Sequence, residues 1–408
     1  MGVIVNILLQ RAIISLLANP NDRSCSHLFG QFGMRDWSTA LSWSDTRGIT
    51  LYLHAAIRSA GIETRIPALT LARLEKSVAE NRSRNREMLQ HFHQICSAFE
   101  KAEVRFCAHK GFTYIPEFCP DLALRHQADL DFIVTRDHCS AAAAALEQFG
   151  YRVDRIEERE WLLKTHSERL PKSKDIFKPK SHRSAEFHFR VGVAESDAFS
   201  ADAALSRSVR RAVAGETVPV LSAADQFIDQ TGHLFQHLLS EWTRLSWLLE
   251  LHRWLQRNDD NYEVWQEIVS LTSSCARSRL AIGTTLRMVQ AVFQYTPRNQ
   301  NAKDFMSAVP NGVQRWVNRF GEATFLAQYP GSKLYLLLLR EVLGETGLTK
   351  RRLAPLHRPP VVITAKGAWS LRNHLDQLNF ILLRIRFHAR EAVSFWRANR
   401  TWSSAPKA

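Results

Sequence analysis

The chain of 408 residues has no C-x-x-C pair, and its six cysteines (Cys25, Cys96, Cys107, Cys119, Cys139 and Cys275) lie far apart. That spacing excludes a zinc signature and a disulfide framework, and it predicts a reducing, cytoplasmic setting. Glycine (17) and proline (14) are scarce, which excludes collagenous and Pro/Gly-rich low-complexity chains. No apolar run reaches the ~18–20 residues that span a bilayer. Residues 1–18 are apolar-rich but are broken by Asn6, Gln10 and Arg11, with no basic segment before them. They read as a buried first helix rather than a signal peptide, and Asn6 stands where a myristoylation pattern needs Ser or Thr. Internal repeats are absent. What is there, 45% hydrophobic and 23% charged residues, suits a globular chain of two or three packed units.

The 54 Lys/Arg outnumber the 40 Asp/Glu to give +14, but the excess is local. From Lys350 to Ala408 there are twelve basic and two acidic residues, so +10 sits there and only +4 is left for the first 349. A long polyanion needs many cations along its path, so the body is not expected to bind nucleic acid. Pro355, Pro359 and Pro360 within basic residues 346–366 mark a linker. After Gly367, Leu371, Leu375, Leu378, Leu382, Ile385, Val393 and Trp396 recur mostly at helical spacing, with Arg372, Arg384, Arg386, Arg390 and Arg397 elsewhere. An amphipathic helix over 368–398 could dock on its own body, on a protein partner, or peripherally on an anionic inner membrane surface.

The pattern divides the chain into four parts. Residues 1–102 read as helical, with a long segment of alternating charge over 69–100. His91 and His93, two residues apart, point apart on a helix and are not a ligand pair. Residues 103–221 alternate strands and helices. Strands are expected over 104–108, 128–135, 151–153 and 185–191, and Asp137 is the expected N-cap of a helix through the alanines 141–145 that closes at Gly150. Residues 171–184 form a polar basic loop. Residues 222–345 return to helices, capped first by Ser222 and continuing over 263–273, 277–293, 312–327 and 334–343. His233, His237 and His252 fall in a Leu/Trp-rich stretch and read as core or surface histidines. Residues 346–408 are the basic linker and the last helix.

Chemistry concentrates in the second part. Asp129 and Asp131 are i and i+2 on a strand, so both carboxylates project from one face while Leu130 and Phe132 pack behind. Two acids this close repel unless a cation lies between them, and hard oxygen donors suit Mg²⁺. The strand 185–191 places Glu186, His188 and Arg190 on one face, which offers the third carboxylate that two-metal phosphoryl transfer uses. The turn His109-Lys110-Gly111 can present backbone N–H groups and an ammonium to phosphates, and Arg125 is a second candidate phosphate contact. Asp-x-Asp also holds metal in nucleotide-sugar glycosyltransferases, so the pair alone leaves that chemistry open.

Taken together, Lys110-Gly111, Arg125-x-x-x-Asp129-Leu130-Asp131-Phe132-Ile133-Val134, Gly150-Tyr151 and Glu186-Phe187-His188-Phe189-Arg190 resemble the bacterial uncharacterised nucleotidyltransferase family of the DNA polymerase β-like superfamily. The likeness extends to Asp36-Trp37 and to Arg244-Leu245-x-Trp247-Leu248, covering about residues 36–295. It implies an α+β fold, a small polymerase-β-like unit flanked by helical regions. It further implies Mg²⁺-dependent transfer of an NMP group from an NTP such as ATP, with Asp129, Asp131 and Glu186 as metal ligands and Lys110, Gly111, Arg125 and His188 around the nucleotide. The acceptor is then a small molecule or a protein side chain. Two departures stand out: Lys-Gly replaces the superfamily's Gly-Ser turn, and His109 stands where the family has Leu. A catalytically silent nucleotide-binding or interaction module on the same fold is the alternative, beside the glycosyltransferase.

Overall fold

Apolar residues at three- and four-residue spacing carry the chain through four helices before any strand: α1 (Gly2–Ala18), α2 (Met34–Arg47), α3 (Thr50–Ala60) and α4 (Ala68–Lys101). The computed structural model describes residues 2–22, 26–165, 176–178, 183–193, 195–240, 242–327, 332–346 and 371–403. Among the described residues seven strands follow α4: β1 (Phe106–His109), β2 (Leu130–Val134), β3 (Tyr151–Ile156), β4 (Glu160–Thr165), β5 (Ser184–His188), β6 (Val209–Val213) and β7 (Glu216–Val220). Between them lie the short helices α5 (Cys139–Glu147) and α6 (Ala201–Ser206). The elements described after β7 are helices: α7 (Ala223–Leu238), α8 (Leu245–Asn258), α9 (Tyr262–Thr272), α10 (Ala276–Phe293), α11 (Gln300–Ser307), α12 (Asn311–Leu326), α13 (Tyr335–Thr346) and α14 (Leu371–Ser403).

The strands form one mixed sheet in the order β3-β4-β5-β2-β1-β7-β6. β2 runs parallel to β5 and antiparallel to β1, while β1 runs parallel to β7. Period-two alternation divides each central strand between two cores. Phe106, Ala108, Leu130, Phe132, Val134, Ala185 and Phe187 face one core, which Phe92, Ile95 and Phe99 of α4 complete. Cys107 and Ile133 face the other, larger core, built with the C-terminal helices. His109, Asp131, Glu186 and His188 hold alternate positions with that second set, so the sheet presents them toward α7 and α8. Arg47 ties α2 to the C-terminal helices: its buried guanidinium donates to the carbonyls of Thr243 (2.7 Å), Thr324 (3.2 Å) and Ala327.

An α+β architecture with helices flanking one sheet matches the sequence reading, and Ser222 caps α7 by accepting the Asp225 N–H. Other details differ. The N-cap of α5 is His138, because Asp137 is taken into a preceding 3-10 turn, Arg136–His138. β4, β6, β7, α6 and α11 are additional to the strands and helices expected. The linker over 346–366, apart from its first residue, and most of the loop 171–184 lie outside the described residues.

Candidate active site

Strand register assembles the site. Across β1, β2 and β5, His109 pairs with Asp131 and Asp131 with Glu186, so three functional side chains occupy one row. β4 adds Glu160, which pairs with His188 two residues along. Asp129 immediately precedes β2, whose first residue is Leu130.

The centre of the network is Asp131, 6% exposed. Its Oδ1 accepts from Lys110 Nζ at 3.2 Å and from His188 Nε2 at 2.9 Å. His188 Nε2 also lies 3.4 Å from Glu186 Oε2, and its Nδ1 lies 3.9 Å from Glu160 Oε2. Burial and the Lys110 charge both oppose a proton on His188, yet the hydrogen bonds to Asp131 and Glu186 prevail and its pKa is pushed up to about 9. Burial would raise the Asp131 carboxyl as well, but Lys110 and His188 hold it well below the usual carboxylate range. Asp129 goes the other way: burial, then repulsion from Asp131 and Glu186, raises it to about 7. The two aspartates that share a strand face in the sequence therefore differ in electrostatic state, because the cations are spent on Asp131.

At the β1 end of this row sits His109, whose ring meets that of His188 edge-on at 4.9 Å. Its Nδ1 lies 3.4 Å from Asp229 Oδ2 of α7, and neither His109 nitrogen has a hydrogen-bond partner among the described residues. Burial drives the His109 pKa well below its ordinary value, so the imidazole is neutral. His109, Asp131 and His188 offer ligand atoms all within 4.8 Å of one another, as do Glu160, Glu186 and His188. Among the described residues no such triad includes Asp129. The donor set, carboxylate oxygens with orphaned imidazole nitrogens, fits a divalent cation.

Lys110 and Gly111 form the turn after β1 in left-handed backbone, φ +55° and +49°. A side chain at Gly111 would collide with the Gln127 amide. That close approach lets Gln127 donate to the Asp129 carbonyl while its Oε1 accepts from Arg125 at 2.6 Å. Arg125 is bound up in the protein: Nε donates to Glu250 Oε1 at 3.0 Å and the guanidinium lies over the Tyr114 ring. Asn81 and Asn85 of α4 grip the same loop, their amides donating to the carbonyls of Leu122, Ala123 and Arg125.

Among the described residues, two cations on this side have no such partners. Arg84, between those asparagines, is 2% exposed, and its Nε and one terminal nitrogen make no hydrogen bond. Burial draws its pKa down to about 10, with Asp129 acting against the shift. Arg244, at the start of α8, stacks on Trp247 (5.4 Å) and Trp242 (6.0 Å), and it too feels Asp129. His233 and His237 pack against the same Trp247 ring. The sequence reading overlooked Arg84, Gln127, Glu160 and Asp229. Glu160 belonged to an unrecognised strand, and nothing local marks the others.

A family model described as uncharacterised nucleotidyltransferase matches residues 33–294. The chain belongs to that family. The span runs from Gly33, the N-cap of α2, to Gln294, the C-cap of α10, so this family region contains the whole sheet and every residue of the site. Neither a curated protein nor a solved structure matches the chain.

Proposed function

We propose that the protein transfers an NMP group from an NTP to a small molecule or protein side chain, with Asp129, Asp131 and Glu186 holding Mg²⁺. The observation that carries this reading is the β2–β5 register: Asp131 and Glu186 come from adjacent parallel strands, side by side, next to Lys110. A bound divalent cation supplies charge neutralisation for the triphosphate. The chain's own residues do the positioning. Lys110 and Gly111 meet the nucleotide phosphates, His188 orients Asp131 and Glu186, and Arg125 braces the loop through Gln127. Arg84 and Arg244, cations near Asp129 with no carboxylate bound to them, take up further phosphate charge. An acceptor oxygen or nitrogen bonds to the α-phosphorus, the bond to pyrophosphate breaks, and the acceptor's proton passes to water. The near-neutral body argues for an acceptor other than a long polynucleotide.

Calorimetry with NTP and Mg²⁺, paired with transfer of α-³²P label to lysate acceptors, tests this. Saturable, divalent-dependent NTP binding and labelling are expected, with Asp131→Asn and Glu186→Gln each losing on the order of 100-fold or more in labelling. NTP binding that survives Asp129→Ala with Asp131→Ala refutes the site, and binding of a nucleotide-sugar instead of an NTP refutes the reaction. The pairing of both Lys110 and His188 with one Asp131 oxygen favours a second reading, a silent nucleotide-binding module. Under it, NTP binds without any labelling.

A further inference from the structure

The last helix is docked by the face opposite its apolar stripe. Trp402 is 2% exposed and belongs to the main core, where its Nε1 donates to Glu341 Oε1 of α13 at 2.8 Å and its ring meets Phe320 of α12 at 5.6 Å. Phe395 and Ala398 pack beside it. At ~100° per residue these positions share one side of α14. Leu382, Ile385, Val393 and Trp396 fall within an arc of about 80° on the other side, and they are 55%, 58%, 51% and 57% exposed. Large apolar side chains set in a row on solvent mark a surface that meets something.

Charge identifies the occupant. Arg386, Arg390 and Arg397 are exposed along one flank of the stripe, and Arg400 lies over the Trp396 ring at 5.1 Å. The single acid between Leu382 and Ser403, Glu391, is half-buried and faces Lys333 on the docked side. Among the described side chains the outward face is thus apolar from Leu382 to Trp396, with arginines along one flank and Arg400 at its end. A second copy of the chain would set arginines against arginines. No described helix is long and apolar enough to cross a membrane, so the stripe can enter a bilayer only from the side. We propose that α14 lies in the plane of an anionic lipid surface, with Leu382, Ile385, Val393 and Trp396 entering the acyl boundary and the arginines at the headgroups. α14 is outside the family span, so this attachment is independent of the transfer chemistry.

Flotation of the full chain with vesicles tests the assignment, comparing equal parts phosphatidylglycerol and phosphatidylcholine with phosphatidylcholine alone. Binding to the anionic vesicles, weakened by added salt, is expected. Arg386→Gln, Arg390→Gln and Arg397→Gln combined should weaken partitioning roughly a hundredfold. Leu382→Glu with Ile385→Glu should abolish it while circular dichroism and Tm stay at wild-type values. Equal partitioning to both vesicle types overturns the proposal, as does undiminished flotation of either variant. A vesicle-free dimer in sedimentation that Leu382→Glu with Ile385→Glu dissolves also overturns it, because it gives the face to a second copy. The arginine variant alters only exposed side chains, so it decides the matter even where the glutamates disturb the helix.

Discussion

Lys110 carries its charge at a conformational cost. Its φ of 55° and ψ of −156° lie in territory that glycine occupies and other residues pay about 1–3 kcal/mol to enter. The strain is maintained because the turn delivers the ammonium to Asp131 from β1 while Gly111 leaves room for Gln127. Replacing Lys110 by Gly or by Ala deletes the same ammonium, but only Ala retains the strain. Ordinarily Gly is the less stable of the two, through unfolded-state entropy. Here the order is expected to reverse, with Lys110→Gly more stable than Lys110→Ala by about 1 kcal/mol. Urea denaturation of the two variants measures the difference, and a Lys110→Gly variant less stable than Lys110→Ala would show that the backbone at residue 110 is unstrained. Both variants should lose nucleotide affinity equally, since neither has the charge.

At the scale of elements, α4 contributes to both cores and to the site. Leu74 and Val78 pack in the helical body, Phe92 and Phe99 on the sheet, and Asn81, Arg84 and Asn85 between them face the loop leading into β2. A buried guanidinium without its full set of partners costs stability, so Arg84 weakens the fold that holds it. Arg84→Met should therefore leave Tm unchanged or higher while NTP affinity falls about tenfold or more. A lower Tm with unaltered binding would make Arg84 a structural residue. The long charged helix was legible in the sequence, since its apolar stripe and alternating charge have only one periodic reading. The shared face of Asp131 and Glu186 was legible for the same reason, being placed by period-two alternation, whereas Asp129 falls just before β2. Arg125 was legible as a cation but not as a brace, because Glu250, its partner, is 125 residues away in the chain. β6 and β7 escaped notice because a hairpin carrying Arg210, Arg211 and Glu216 has little apolar alternation to read.

Across the whole molecule, two buried histidines far from the site couple folding to acid. His91 on α4 stacks on Tyr151 and shares a 3.1 Å hydrogen bond with its hydroxyl, tying the helix to β3. His252 on α8 stacks on Phe293 of α10, and its Nε2 bonds the Ala18 carbonyl at the end of α1 at 3.2 Å. Burial lowers both to about 4, from the ordinary 6.5. The folded protein thus keeps these rings neutral where the unfolded chain protonates them. Below pH 6.5 the unfolded state binds more protons, so stability falls as pH falls, and the loss levels off once pH drops below about 4. At pH 5 each ring should cost on the order of 2 kcal/mol. The two rings serve different cores, so their effects should add. Unfolding free energies from urea titrations between pH 7 and pH 5 should therefore fall less steeply for His91→Phe and for His252→Phe than for the wild type, and least steeply for the double variant. Carboxyl groups whose pKa is raised by burial, such as Asp129 and Asp229, act in the opposite direction. They are common to all four proteins, so the difference between profiles isolates the histidines, and parallel profiles would show that neither ring is buried neutral.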